Sequence, residues 1–166
     1  MPPIPRGPDR RAEILETAAR LFAEQGFHAT SMRDLCAALG MSPGNLYHWF
    51  PSKQAIIAAF VEADRADTAA RMAALATSGD IATEAAPQIL SYVTGTTDAE
   101  IRLYLEIYAT ALRDPELAPL VRDADAEARA GLAALLRDAG IAEPEATATV
   151  VISLADGLVA RRAVEP

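Results

Sequence analysis

The side chains able to perform acid–base, nucleophilic or metal chemistry are scattered along this chain of 166 residues. The single cysteine, Cys36, falls on the apolar side of a short helical pattern, so an inert buried thiol is favoured over a redox sensor. His28 and His48 have no acidic or cysteine partner at metal-ligand spacing. The carboxylates accompany no nucleophile, phosphate-binding glycine loop or metal motif. The sequence therefore predicts a protein that is not an enzyme and that uses no metal or cofactor.

Hydrogen-bonding side chains and apolar residues are instead combined in one stretch, SMRDLCAALGMSPGNLYHWFPSK. Ser31 is placed to cap a first short helix and Ser42 to cap a second. Between them, Gly40 supplies the positive φ of a tight turn, and Met41 is expected to fill the space between the two helices. This pattern predicts a helix-turn-helix.

Apolar periodicity and capping signals predict helices over the rest of the chain. One helix runs from Asp9 to Gly26, and Ser52 begins a longer one that ends near Ala76. Later helices are predicted at roughly 83–94, 98–113, 115–139 and 144–163. Strand-like alternation extends no further than four residues, so the predicted class is all-α. The most apolar run, 146–160, is too short to cross a membrane.

Charge divides the chain into two unlike parts, although its net value is −8. Residues 1–53 hold six Arg or Lys against five Asp or Glu, a net of +1, whereas residues 54–166 hold nine against eighteen, a net of −9. Cations that displace counterions from phosphates drive DNA binding, so the acidic total does not exclude DNA as a partner of the first part. We expect a flexible arm at 1–8, a helix-turn-helix domain at 9–53 and a helical domain at 54–166.

Two further motifs surround the turn. Gly26-Phe27-x-x-Thr30-Ser31 leads into the first short helix, and Gly44-Asn45-Leu46-Tyr47-His48-Trp49-Phe50-Pro51-Ser52-Lys53 follows the turn. In this order, and behind an apolar first helix, they resemble the TetR/AcrR family of repressors over residues 10–60, about a third of the chain. The remainder resembles that family only in helix number, length and polarity. The resemblance implies an N-terminal three-helix DNA-binding domain followed by a helical ligand-binding and dimerisation domain.

The same resemblance implies which residues contact DNA. The short third helix enters the major groove, its first residues face base edges, and neighbouring groups hold phosphates. Pro43 stands where many family members have a basic residue, so recognition depends more on Asn45 and on shape. The implied contact residues are Arg10, Arg11, Thr30, Ser31, Arg33, Ser42, Pro43, Gly44, Asn45, Tyr47, His48 and Lys53.

The aromatic residues near the end of this motif have structural interpretations as well. Phe50 is predicted to be a core aromatic and Trp49 to pack against the first or fourth helix. Tyr47 is expected to pack its ring while its hydroxyl reaches the DNA.

The predicted helix at 98–113 is apolar around most of its circumference, which is typical of a central helix. Its tyrosines, together with aromatic and acidic residues of neighbouring helices, predict an apolar cavity with a few polar groups, as ligand sites usually are. The alternative is a filled core. The candidate ligand-binding residues are Phe60, Asp64, Tyr92, Arg102, Tyr104 and Tyr108.

The last two predicted helices carry apolar stripes with many small residues between them. Two copies of such a pair suit a four-helix dimer bundle, and the resembled family dimerises through its C-terminal helices. Two-fold symmetry would then place two recognition helices roughly 34–36 Å apart on a palindromic operator. The candidate interface residues are Leu132, Leu136, Val151, Leu154, Ala155 and Leu158.

Together these features predict a cytoplasmic, homodimeric transcriptional repressor with no membrane association. It is expected to bind a double-stranded DNA operator and to release it when a small apolar or aromatic effector binds. One alternative is a constitutive DNA-binding protein or co-regulator whose C-terminal domain binds protein. Another is a small-molecule binding protein or enzyme whose helix-turn-helix is vestigial.

Overall fold

The computed structural model describes residues 9–77 and 81–164. Over these ranges the chain is all-α, as predicted, and the expected arm at 1–8 lies outside them. The helices are α1 (Arg10–Gln25), α2 (Met32–Leu39), α3 (Pro43–Trp49), α4 (Lys53–Thr77), α5 (Ile81–Gly95), α6 (Asp98–Ala111), α7 (Leu117–Asp138) and α8 (Pro144–Arg161). None of the helices in the described ranges is both long enough and apolar enough to span a bilayer.

The turn between α2 and α3 has the predicted geometry. Gly40 ends α2 in the left-handed region, with φ 61° and ψ 31°. Met41 follows it, and its N–H donates to the carbonyl of Cys36 at 2.9 Å. The side chains of Met41 and Cys36 are both buried in the core between the helices. The helix-turn-helix and the buried cysteine are therefore confirmed.

The largest core joins the N-terminal helices to the rest of the molecule. It contains apolar residues of α1 to α4 together with Leu103 and Ile107 of α6 and Leu117 and Val121 of α7. α1 packs along α6, and α4 packs along α7. Packed interiors do not deform smoothly, so a displacement of α6 or α7 is expected to reach the helix-turn-helix. The domain boundary predicted at residue 53 stays a prediction.

A second, smaller core lies farther from the helix-turn-helix, where α7 packs against α8. It contains Leu132, Ala133 and Leu136 of α7 and Ala148 of α8. α5 also packs against α8, so five helices, α4 to α8, surround the space between the two cores.

Candidate DNA interface and ligand cavity

α3 exposes most of its length to solvent. Its first turn is capped by Ser42, whose hydroxyl accepts the N–H of Asn45 at 3.4 Å. Leu46 is fully buried and anchors the helix to the core. Besides Trp49, the exposed residues are Ser42, Pro43, Gly44, Asn45, Tyr47 and His48, and we call these six the α3 surface. A short helix held by an apolar anchor and exposed on its other sides has the shape required to enter a major groove.

The N-terminus of α2 already binds an anionic group. The carboxylate of Asp34 accepts the N–H of Ser31 at 2.8 Å and its hydroxyl at 2.6 Å. Both hydrogen bonds lower the pKa of Asp34, and the bond from the Ser31 hydroxyl has the larger effect. Both donors of Ser31 are therefore engaged, and its contact with a DNA phosphate stays a prediction. Arg33, the next predicted contact residue, is exposed on the same turn.

The structure contradicts the assignment of Thr30 to the DNA-contacting residues. Its side chain is fully buried, and its hydroxyl donates to the carbonyl of Gly26 at 2.9 Å. Its backbone N–H also donates to Gly26, at 3.2 Å. Thr30 is therefore a structural residue of the loop between α1 and α2, because neither donor is available to a phosphate.

Lys53 is tied to the same loop. Its ammonium group donates to the carbonyls of Phe27 and Thr30, both at 2.6 Å, and lies 4.3 Å from the centre of the Phe27 ring. Burial lowers its pKa. Two of its three N–H groups are used within the protein, so the predicted phosphate contact depends on the third.

The two arginines at the start of α1 differ in their surroundings. Arg10 contacts Glu13 at 2.5 Å and donates to the carbonyl of Leu39 at 3.5 Å. Arg11 is exposed, with its guanidinium 5.3 Å from the centre of the Phe50 ring. Of the two, Arg11 is the better placed to add a sequence-independent phosphate contact, which stays a prediction.

The aromatic residues of α3 lie partly as expected. Phe50 is buried, as predicted. Trp49 is 40% exposed and stands edge-on to His48, with ring centres 6.0 Å apart, and its packing against the first or fourth helix stays a prediction. Tyr47 is 49% exposed, and less of its ring is covered than expected. With so few residues in α3, packing of Leu46 and Phe50 leaves these two rings facing outward.

Glu106 of α6 connects the central helix to the DNA-binding unit, a role that the sequence did not predict. Its carboxylate accepts the backbone N–H of Phe27 at 2.9 Å. The carbonyl of Phe27 in turn accepts the ammonium of Lys53. A residue of the loop before α2 is thus held between α6 and the start of α4. The signal in the sequence was the narrow polar strip that Glu106 forms on an apolar helix.

A cavity of about 450 Å³ lies among α4, α5, α6, α7 and α8. Four of the predicted ligand-binding residues line it, namely Asp64, Tyr92, Tyr104 and Tyr108. Apolar side chains cover much of the remaining wall, including Met72, Leu75, Ile89, Leu132, Val151 and Ile152. The volume lies within the range of known small-molecule sites. The cavity makes the filled core the weaker of the two interpretations.

Two predicted ligand-binding residues lie elsewhere. Phe60 is fully buried in the core that α1 to α4 share with α6 and α7. Arg102 is exposed and lies in a separate groove with residues of α1, among them Glu16 and Arg20. It occupies the side of α6 that faces away from the cavity, and the prediction was wrong for both residues.

The polar groups of the cavity form tyrosine–aspartate pairs. The Tyr92 hydroxyl donates to Asp156 at 3.0 Å, and the Tyr108 hydroxyl donates to Asp125 at 2.5 Å. Burial raises the pKa of both phenols and of Tyr104 far above the ordinary value, so all three are neutral donors near pH 7. Burial also raises the pKa of Asp156.

Asp125 and Asp156 were not among the predicted site residues. A signal was present for Asp156, since it is the one acidic residue within the most apolar run of the chain, 146–160. Asp125 has no comparable signal because it lies in an acidic stretch that resembles a solvated helix face. Only the packing of α7 against α4 and α6 turns its side chain to the cavity.

The candidate dimer residues divide between the inside and the outside of the protomer. Leu132, Leu136 and Ala155 are buried within it and line the cavity, as does the half-buried Val151, so these four assignments are corrected. Leu154 is 59% exposed and Leu158 is 42% exposed. Val150, which was not predicted, is 64% exposed one turn before Leu154. We call Val150, Leu154 and Leu158 the α8 face.

A helix-turn-helix unit joined to a helical body that encloses a cavity is the architecture of a one-component regulator. Residues 14–60 match the family model of bacterial regulatory proteins of the tetR family. Residues 82–166 match the C-terminal domain of BetI-type transcriptional repressors. The chain therefore belongs to the tetR family.

Individual relatives agree with this assignment. The chain is 32% identical over 129 residues to the HTH-type transcriptional regulator UidR of Escherichia coli K12. That alignment covers 78% of this chain and 65% of UidR, slightly less than two thirds of the relative's length. The family model and UidR both describe regulatory proteins rather than enzymes.

Solved structures share the whole architecture. GusR of Salmonella enterica is 31% identical, with a TM-score of 0.73, and the match covers 92% of this chain and 85% of GusR. A transcriptional regulator from Saccharomonospora viridis, solved in complex with choline, is 26% identical, with a TM-score of 0.69. That match covers 90% of this chain and 82% of the other.

Proposed function

We propose that this protein is a dimeric transcriptional repressor, acting in the cytoplasm, that binds a palindromic operator through the α3 surface and releases it when a small molecule occupies the cavity. One observation carries the proposal. α6 forms part of the cavity wall with Tyr104 and Tyr108, and between them Glu106 holds the backbone of the helix-turn-helix unit at Phe27. A ligand that moves α6 therefore acts on the element that positions α2 and α3.

The α8 face supports the dimer. Val150, Leu154 and Leu158 recur at a spacing of four residues and form one exposed apolar stripe on the outside of the protomer. A stripe of this kind is typical of an interaction surface, and pairing with its symmetry mate gives a four-helix arrangement with α7. Two α3 surfaces related by a two-fold axis match an operator whose half-sites are one helical turn apart.

The cavity also weighs against the constitutive alternative, in which the body binds only protein. A protein-binding module requires no cavity of about 450 Å³ among its helices. The solved relative in complex with choline supports small-molecule binding within this architecture.

The experiment is selection of genomic DNA fragments by the purified protein, followed by binding titrations of a selected fragment and a scrambled one at two salt concentrations. We expect a palindromic fragment bound by one dimer, and an affinity for both fragments that falls as salt rises. Release of the selected fragment by a small molecule completes the test. A protein that binds both fragments equally, or neither, is not the repressor proposed here.

A further inference from the structure

The wall of the cavity is packed unevenly, and α5 is its most exposed part. On the opposite side, Leu132 and Leu136 of α7 and Ala155 of α8 are buried. Between residues 83 and 95 no side chain of α5 is buried. The cavity residues of α5 recur on one helical face and are only half-buried, and they are Ala85, Gln88, Ile89 and Tyr92. α5 therefore covers the cavity as a single layer whose apolar face still meets water.

Pro87 weakens α5 in its interior. Its nitrogen carries no hydrogen, so it cannot donate to the carbonyl of Thr83 as a residue inside a helix ordinarily does. Pro87 itself is exposed, and Leu90 three residues later is 62% exposed. Packing of these two side chains does not offset the lost hydrogen bond. The part of α5 at 83–91 is therefore less stable than an unbroken and well-packed helix of the same length.

The end of α5 that joins α6 is held much more firmly. The guanidinium of Arg162, which directly follows α8, donates to the carbonyl of Val93 at 2.5 Å and to that of Thr96 at 2.9 Å. The hydroxyl of Tyr92 donates to Asp156 of α8 at 3.0 Å. Hydrogen bonds from or to a charged group are the stronger kind. Residues 92–96, which we call the anchored end, are therefore fixed to α8.

We infer that α5 is a lid of the cavity. Residues 83–91, which we call the lid, move about the anchored end and close over a bound ligand, and Pro87 supplies the flexibility. Closure buries the half-exposed apolar face of Ala85 and Ile89 against the ligand, and removal of this apolar surface from water favours the closed state. The inference rests on the proposed function, since the cavity must be the ligand site, and it adds how the ligand is admitted and retained.

A rigid wall explains these observations less well. Such a wall would keep Ala85 and Ile89 buried in the empty protein, as Leu132 and Leu136 are on the opposite side. The anchored end also separates the lid from α6, which begins directly after the capping residue Thr97. Movement of the lid alone is therefore expected to leave α6 in place, so that the operator is released by an occupied cavity and not by an open one.

Pairs of spin labels test the inference through distance distributions measured in the full chain. A reference label at the exposed Ala134 of α7 is combined with one at Glu84 in the lid or at Thr94 in the anchored end. Both pairs are made in a Cys36→Ala background, which removes the native thiol. In the empty protein we expect a broader distribution for the Glu84 pair than for the Thr94 pair. Equal widths overturn the inference.

The same two pairs report closure when a ligand is added. The probe is N-phenyl-1-naphthylamine, a neutral apolar molecule whose own fluorescence reports its binding. At saturation the distribution of the Glu84 pair should narrow and shift by more than about 2 Å, whereas that of the Thr94 pair should stay unchanged. A bound probe that leaves the Glu84 pair unchanged, or that shifts both pairs alike, overturns the inference.

A proline variant tests the source of the flexibility. Pro87→Ala restores the missing donor, and we expect amide hydrogen exchange of the lid in the empty protein to become at least about tenfold slower. Pro119→Ala is the matched control, because Pro119 lies in the first turn of α7, where backbone N–H groups have no partner within the helix. Unchanged exchange in Pro87→Ala contradicts the role of Pro87.

An arginine variant tests the anchor. Arg162→Met removes both hydrogen bonds to the anchored end, so the distribution of the Thr94 pair should broaden toward that of the Glu84 pair. Arg122→Met, which removes an exposed arginine from α7, is the control and should leave both distributions unchanged. A Thr94 pair that stays narrow in Arg162→Met contradicts the anchoring role.

Failure of this inference and failure of the proposed function are distinguishable. If a small molecule releases the selected operator but the two label pairs are equally narrow, only the lid is wrong. If neither the probe nor any other small molecule binds the cavity, the proposed function fails, while the widths in the empty protein still decide whether α5 moves about its anchored end.

Discussion

The ammonium group of Lys53 joins the first turn of α4 to the loop that precedes α2. Lys53 is the only lysine of the chain, and its ammonium group donates hydrogen bonds to the carbonyls of Phe27 and Thr30. A charged hydrogen bond of this kind contributes more to stability than a neutral one, because loss of the donor leaves partly buried carbonyls unsatisfied.

We therefore predict that Lys53→Met lowers the free energy of unfolding by about 2 kcal/mol, measured by urea denaturation. Arg33→Met is the matched control, since it removes an exposed cation from α2 and is expected to cost less than about 0.5 kcal/mol. Equal stability of the two variants would show that the contacts of Lys53 with the loop contribute little to the free energy of unfolding.

Residues of the α3 surface are expected to contact different parts of the DNA, some the base edges and others the phosphates. Asn45→Ala should change the preference among operator sequences, because an amide is able to bond to a base edge in two places, with an effect of about 1–3 kcal/mol at one position. Tyr47→Phe should weaken binding to all sequences alike, since Tyr47 is exposed and its hydroxyl is predicted to contact a phosphate. Titrations against the operator and single-base variants separate the two, and a uniform loss in both variants contradicts the assignment of Asn45.

At the scale of helices, α6 touches both the cavity and the DNA-binding unit. Tyr104 and Tyr108 face the cavity, whereas Glu106 faces the loop at Phe27. A helix that makes both contacts offers a direct physical connection between the two sites.

Removing the contact at Glu106 should therefore uncouple ligand from DNA. For Glu106→Ala we expect ligand binding to the cavity to persist, while the ratio of operator affinities with and without ligand falls toward one. Arg102→Ala, one turn earlier on the exposed side of α6, serves as the control and should keep the full ratio. Anisotropy titrations of labelled operator measure both, and an unchanged ratio in Glu106→Ala excludes this route.

The α8 face gives a prediction about assembly. Leu154→Glu places a charge in the middle of the exposed stripe and should convert the dimer to a monomer, as measured by sedimentation velocity. Leu112→Glu is the control because Leu112 is 87% exposed at the end of α6, away from this face. If Leu154→Glu remains dimeric, the dimer is formed by another surface.

At the scale of the whole molecule, burial of Asp156 links folding to pH. Tyr92 from α5 donates to it, Asp64 from α4 and Asp125 from α7 repel it, and burial is the largest cause of its raised pKa. A carboxyl whose pKa is raised by folding binds protons more tightly in the folded chain, so its contribution to stability falls as pH rises from the ordinary value through the raised one.

We accordingly expect Asp156→Asn to stabilise the empty protein at neutral pH, as measured by its thermal midpoint. In the wild type, the free energy of unfolding should fall as pH rises from the ordinary range of an aspartate through the raised pKa of Asp156. The Asp156→Asn variant should lose this part of the dependence. The same pH dependence of stability in the wild type and in Asp156→Asn would contradict the burial cost assigned to Asp156.

Much of the fold was predictable because its signals are local. Ser31 and Asp34 are three residues apart, and Gly40, Met41 and Ser42 are consecutive, so the capping box and the turn are encoded within single turns of chain. The helix bounds agree with prediction to within a few residues for the same reason. Thr30 and Lys53 were assigned to DNA instead of to each other, because their contact spans 23 residues and has no local pattern.

The sequence by itself determined an all-helical chain with a helix-turn-helix at its start, since caps, glycines and apolar periodicity act over three or four residues. Tertiary structure alone decided which apolar stripes turn inward. Leu132, Leu136 and Ala155 are as apolar as Leu154 and Leu158, yet they face the cavity, because the crossing of α7 on α4 and α8 sets the rotation of each helix. That rotation is fixed by contacts between residues distant in the chain, and it also brought Asp125 and Asp156 to the same cavity.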